Sequence, residues 1–192
     1  MSDVYVPKLA IGLLHYPILD REKKIVATNV TNFDIHDIAR AARVYGAEKY
    51  YIIHPMQDQL MFVERVLDHW RVGQGAQFNP SRKRALTPVK VAESLEKALA
   101  DWAVPEAMVV ATHARPVSGA KAIGFGDLKA AMHRDRRPCF LLFGTGSGMT
   151  DEFMKNCEFV LESIRGAPPD DFRHLSVRSA VSICLDRLMG PW

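Results

Sequence analysis

The chain is expected to be an α/β protein, a parallel sheet covered by helices on both faces. Three observations predict this. Short apolar runs alternate along the chain with segments whose apolar residues recur at helical spacing. The runs are apolar throughout, as strands buried on both faces are. Glycine and small polar residues gather directly after several of the runs, where such folds turn from strand to helix.

In chain order, Leu9 to Leu14 is a strand closed by His15, Tyr16 and Pro17. Residues 29–32 are polar and turn-prone. Asp34 then opens a helix in which Ile35, Ile38, Ala39, Ala42 and Tyr45 share a face, with Gly46 as its stop. Lys49 to Ile53 is the second strand. Leu60, Phe62, Val63, Val66, Leu67 and Trp70 form a helix, followed by a loop over residues 73–80 with a basic shoulder at Arg82, Lys83 and Arg84. Ala85 to Thr87 reads as a brief strand, and Val91, Leu95, Ala98 and Leu99 repeat at helical spacing up to Trp102. Ala107 to Ala111 is a strand and Phe125 to His133 a helix. Cys139 to Phe143 is a strand that runs into Gly144-Thr145-Gly146-Ser147-Gly148. Phe159 to Ile164 is the last strand. Val177, Ala180, Val181, Cys184, Leu185 and Leu188 mark a final helix from Ser176 to Gly190. No repeat or linker divides the chain, so residues 1–192 are expected to form one domain.

Composition excludes several classes. The 192 residues are 48% hydrophobic and 24% charged, an ordinary globular balance, and the length allows a sizeable core. A net charge of +3 neither announces nor excludes nucleic-acid binding. No run approaches the roughly 20 apolar residues of a membrane span. Asp20, Arg21, Glu22 and Lys23 follow the first apolar run directly, unlike a signal peptide. Cys139, Cys157 and Cys184 are odd in number and widely spaced, which argues for reduced thiols and a cytoplasmic location. The seven histidines are dispersed, with no paired ligand spacing, so no metal site is expected.

Ligands of open α/β sheets bind beyond the carboxyl ends of the strands. Three strand ends here carry small, polar or glycine-rich residues: Thr112-His113-Ala114-Arg115, Gly144 to Gly148, and Ser163-Ile164-Arg165-Gly166. Each could be an ordinary turn; three on successive strands point to a ligand. The glycine run fits none of the commoner fingerprints. A dinucleotide loop requires glycine where Met149 stands, a P-loop pattern is absent, and a nucleophile elbow at Ser147 would require glycines where Thr145 and Met149 stand. Leu175-Ser176-Val177-Arg178-Ser179 opens the last helix, where free backbone N–H groups are available, and Ser176 suits a helix cap.

Residues 143–149, the strand with Ile164 and Gly166, and His174-Leu175-Ser176-Val177-Arg178-Ser179-Ala180 together resemble the C-terminal motifs of the SPOUT methyltransferases. Asp34 to Gly46 is similar to the first motif of the SpoU branch: Arg40 and Gly46 match, and Asp34 stands where that motif has asparagine. The likeness covers roughly positions 9–190. It is particularly close to a bacterial group likened to the C-terminal part of tRNA (guanine-N1) methyltransferase.

The resemblance implies a C-terminal deep trefoil knot, a homodimer, and S-adenosylmethionine as cofactor of an enzyme that methylates tRNA or rRNA, at guanine N1 or the ribose 2′-hydroxyl. It implies cofactor contacts from Thr112, His113, Ala114, Gly144, Thr145, Gly146, Ile164, Gly166, Leu175, Ser176, Val177 and Ser179. Arg40 is the implied catalytic residue on the ribose reading. Asp34, or Asp37, would take a proton on the base reading; a cap at the helix start is the plainer role for Asp34. Arg82-Lys83-Arg84, Arg134, Arg136, Arg137, Arg173 and Arg178 are candidates for holding phosphates, with salt-dependent affinity. The rival readings are a SPOUT protein that binds adenosylmethionine without catalysis and an ordinary nucleotide-dependent enzyme.

Overall fold

The computed structural model describes residues 5–191. Strand β1 (Leu9–Leu14) lies at the centre, and its burial explains the whole arrangement. Leu9, Ile11 and Leu13 enter one apolar cluster, while Ala10 and Leu14 enter another on the opposite face. A strand covered on both sides needs apolar residues at both parities, which is why the run shows no alternation.

Around it are β4 (Lys49–Ile53), β5 (Val89–Ala92), β6 (Met108–Thr112), β7 (Ala122–Ile123), β8 (Cys139–Gly144) and β9 (Phe159–Leu161). These seven strands form one sheet in the order β5-β4-β1-β8-β6-β9-β7, and all neighbouring pairs are parallel. A separate antiparallel pair, β2 (Ile18–Leu19) and β3 (Ile25–Val26), follows β1. One face of the sheet is covered by α1 (Asn32–Val44), α2 (Gln57–Arg71), α6 (Phe125–His133) and α8 (Val177–Met189). The other face is closed by α5 (Leu95–Trp102), α7 (Asp151–Lys155) and Met149 of the glycine loop. The fold is therefore the expected α/β class with helices on both faces.

Several local expectations are corrected. Residues 73–80 are not a loop: α3 (Gln74–Phe78) and α4 (Pro80–Leu86) occupy them. Asn79 and Pro80 start a helix, since the Asn79 side chain accepts the Arg82 N–H at 3.0 Å and proline is tolerated at the first helical position. The brief strand at Ala85 to Thr87 is the end of α4, and Val91 belongs to β5, not to the helix that follows. The last strand stops at Leu161, because the chain then leaves the sheet to wall the cleft. Asp34 does not open α1. Thr31 is the N-cap, and Asp34 sits one turn in, its backbone N–H bound to the Thr31 hydroxyl at 3.3 Å. Cys139 and Cys184 are buried free thiols and Cys157 is half-buried.

Candidate functional site

The carboxyl ends of β6, β8 and β9 open into a cleft of about 1120 Å³. Its walls are the loops after those three strands, the first turn of α8 and the segment between β2–β3 and α1. Thr112, His113, Ala114, Gly144, Thr145, Gly146, Ile164, Leu175, Ser176 and Val177 all line it. Gly166 and Ser179 stand behind the wall. A side chain at Gly166 would place its Cβ 2.4 Å from the Phe172 carbonyl, so only glycine lets residues 166 and 172 pass this closely. The Gly166 N–H also binds Asp171 Oδ1 at 2.7 Å, which folds the segment after β9 over the cleft. Ser179 donates its backbone N–H to Ser176, the N-cap of α8, at 3.2 Å.

The glycine loop is anchored from below. The Thr145 hydroxyl reaches the Leu14 carbonyl at 3.4 Å, and Thr28 Oγ1 lies 2.5 Å from Thr145 Oγ1. His15 Nδ1 meets Thr28 Oγ1 at 2.9 Å. Each hydroxyl has a single proton; with Thr145 donating to Leu14 and Thr28 to Thr145, Nδ1–H of His15 completes the chain as donor. His15 is wholly buried, and its Nε2 has no hydrogen-bond partner among the described residues. Burial, with His54 nearby, pushes its pKa down to about 4, and the ring stays neutral. On the other side, Gly148 adopts φ +98°, and a Cβ there would lie 2.8 Å from His113 Nε2. His113 Nδ1 accepts the Arg115 N–H at 3.0 Å, so its proton is on the buried, unpartnered Nε2. Burial, then the Arg115 charge, lower its pKa.

Charges around the cleft are mostly spent on one another. Asp34 lies in the wall, buried, with one oxygen on the Thr31 hydroxyl at 2.5 Å and the other on Arg178 at 2.7 Å. Arg178 also approaches Asp37 at 3.7 Å. Arg115 pairs with Asp151 at 2.8 Å, Arg173 pairs with Asp171, and Glu162 accepts the Phe125 N–H at 2.7 Å. Arg21 and Asp170, which also line the cleft, have no such partner among the described residues.

Arg40 is not in this cleft. It lines a neighbouring groove of about 210 Å³ with Asn32, Phe33, His36, Asp37 and Arg82. Of the other basic candidates, Arg82 lies 4.4 Å over the Trp70 ring, Arg134 pairs with Asp135 at 2.8 Å and Arg137 with Glu158 at 2.9 Å. Arg136 lies 4.9 Å over Tyr5. Residue-by-residue reading missed Arg21, Thr28 and Asn29, which line the cleft from the β2–β3 side, and the His15–Thr28–Thr145 chain. Two-residue strands leave no periodicity to find; Pro17 and the charged run at 20–24 were the available signal of a turn.

A family model described as SAM-dependent RNA methyltransferase matches residues 8–190. A tRNA (guanine-N(1)-)-methyltransferase of Nitratidesulfovibrio vulgaris is 37% identical over 185 residues, 95% of this chain, although the chain spans only 42% of that protein's length. An uncharacterized protein of Aquifex aeolicus is 36% identical over 183 residues, covering 94% of this chain and 87% of its own length. Among solved structures, TrmJ from Z. mobilis ZM4 superposes with a TM-score of 0.61 at 16% identity, over 98% of this chain and 70% of that one. A match from residue 8 to residue 190 takes in the whole sheet and all three loops of the cleft, so the chain belongs to the family of SAM-dependent RNA methyltransferases.

Proposed function

We propose that the cleft at the ends of β6, β8 and β9 binds S-adenosylmethionine and that methyl transfer to RNA takes place at its mouth. The observation that carries this is the convergence of three loops and the α8 N-cap on one cleft of about 1120 Å³. The residues suit the cofactor. Phe143, Leu161, Ile164, Leu175 and Val177 give an apolar wall for an adenine. Thr112, His113, Ala114, Gly144, Thr145, Gly146, Ser176 and Val177 are the proposed contacts, with Gly166 and Ser179 shaping the wall. When bound, the cofactor supplies a methyl group made electrophilic by its sulfonium.

This chain's residues then have to hold the acceptor in line and accept its proton, since a guanine N1 or a ribose hydroxyl loses one on methylation. Orientation of this kind contributes several kcal/mol to such a reaction. Asp34 is engaged by Thr31 and Arg178, so in this reading it positions Arg178 at the wall. Asp170 is the lining carboxylate with no partner among the described residues, and it is the group proposed to take the proton. Arg40 contacts RNA backbone from the adjacent groove. The tRNA specificity of the guanine-N1 relatives makes tRNA the proposed substrate. The C-terminal knot, the homodimer, the single-domain organisation and a cytoplasmic location belong to the same reading; no described helix is long and apolar enough to cross a membrane.

Calorimetric titration with S-adenosylmethionine and S-adenosylhomocysteine tests the site, with NADH and ATP as controls. Micromolar binding at one site per chain is expected, followed by methyl incorporation into unmodified tRNA. Failure of both adenosyl ligands to bind a folded protein would overturn the reading. The Asp170→Asn protein is expected to lose about 10²- to 10⁴-fold in kcat, the usual span of a general base, with cofactor affinity unchanged.

A further inference from the structure

The β2–β3 pair is stitched to the glycine loop and not merely near it. The Ser147 N–H donates to the Leu19 carbonyl at 3.0 Å, the Leu19 N–H donates to the Gly148 carbonyl at 2.9 Å, and Ile18 forms an antiparallel bridge with Met149. Ile18 is fully buried beneath this junction. The tip beyond it is also built. Asp20 Oδ1 accepts the N–H groups of Glu22 and Lys24 at 2.8 and 2.9 Å, and the Asp20 N–H donates to the Lys24 carbonyl at 2.9 Å. Lys24 is paired with Glu22 at 2.6 Å. Of the exposed residues at this tip, Arg21 is the one that lines the cleft.

The charge pattern says what that residue meets. The other three arginines of the cleft are each neutralised by carboxylates: Arg115 by Asp151, Arg173 by Asp171, and Arg178 by Asp34 and Asp37. Arg21 is the lining arginine with no carboxylate partner among the described residues. A planar guanidinium carried on a backbone held in place suits bidentate contact with a phosphate. The same loop that Arg21 overhangs is the one assigned to the cofactor, so a nucleotide presented to the methyl group brings its flanking backbone to this hairpin.

We propose that Arg21 is an RNA-phosphate anchor at the mouth of the cleft, set in register with the cofactor by the bonds between the hairpin and the glycine loop. The inference rests on the reading of the cleft as the site of RNA methylation. A phosphate contact leaves a specific mark: the dependence of log affinity on log salt falls by about 0.7–0.9 when one such contact is removed.

The test is binding of unmodified tRNA transcript to the full chain across a potassium chloride series, with S-adenosylhomocysteine affinity measured in parallel. Arg21→Ala is expected to weaken tRNA binding several-fold at low salt and to reduce the salt slope by about one contact. Its melting temperature and cofactor affinity should be unchanged. Arg21→Lys should restore the slope, and Arg21→Glu should weaken binding further. Lys23→Ala, at the same tip but outside the cleft wall, should leave the slope alone. Equal slopes for wild type and Arg21→Ala would overturn the proposal, as would an equal loss in Lys23→Ala, which would report general surface charge. A change in S-adenosylhomocysteine affinity with tRNA binding intact would instead make Arg21 a cofactor ligand and overturn it. Wild-type protein that binds the cofactor but no tRNA would overturn the anchor, whereas protein that binds no adenosyl ligand would overturn the reading beneath it.

Discussion

At the residue scale, His15 links stability to pH with a sign that follows from its burial. Its folded pKa is pushed down to about 4 by burial first and His54 second, against smaller opposing effects of Asp34 and Thr28. The unfolded chain therefore binds a proton that the folded one refuses. Stability from this ring is fully present above about pH 6.5, is lost as pH falls towards about 4, and levels off below that. A shift of this size corresponds to about 3 kcal/mol. Burial lowers the pKa of His54 and His113 as well, so they act in the same direction. Urea denaturation across this range should show stability falling with pH, and His15→Gln should flatten the slope. Asp34 is a second case. Asp34→Asn leaves Arg178 without its nearest carboxylate; because the Arg178 side chain remains 35% exposed, a loss of about 1–2 kcal/mol is expected in place of the 3–5 of a fully buried pair. A variant as stable as the wild type would mean the pair adds nothing.

At the scale of elements, the glycine loop and the β2–β3 hairpin act as one body. Gly148 is the hinge of that statement, because φ +98° and the His113 ring 2.8 Å from a notional Cβ exclude any side chain. Gly148→Ala is expected to cost more than about 1 kcal/mol in chemical denaturation and to weaken S-adenosylmethionine binding, read by calorimetry. Thr145→Val would cut the link to Thr28 and His15 while leaving the loop's backbone bonds in place. Legibility at this scale varied with length. Helices α1, α2, α6 and α8 were readable because nine or more residues repeat a face. Short α4 was not, since its Asn79-Pro80 start resembles a loop until Asn79 is seen to cap it. The five-residue α7 and two-residue β7 carry too few positions for any period to show.

For the whole molecule, α1 and α8 pack side by side, and Phe33 and Val44 of α1 remain 69% and 76% exposed. These two side chains are where the proposed homodimer is tested. Sedimentation at micromolar concentration should give twice the chain mass, and Phe33→Asp should shift the equilibrium towards monomer. A monomeric wild type would remove the dimer from the reading.

The sequence by itself determined the α/β class, the central strands, the three strand ends and most of the cleft lining. These depend on local pattern: an apolar run wide enough for two covered faces, glycines where backbone must turn, and a serine that caps a helix. Only the tertiary structure decided that Arg40 faces another groove, that Asp34 is bound to Thr31 and Arg178, and that Arg21 lines the cleft. Such facts join residues far apart in the chain, Asp34 with Arg178 and Thr28 with Thr145. A charge is available or spent according to what folding brings beside it, and no local pattern records that partner.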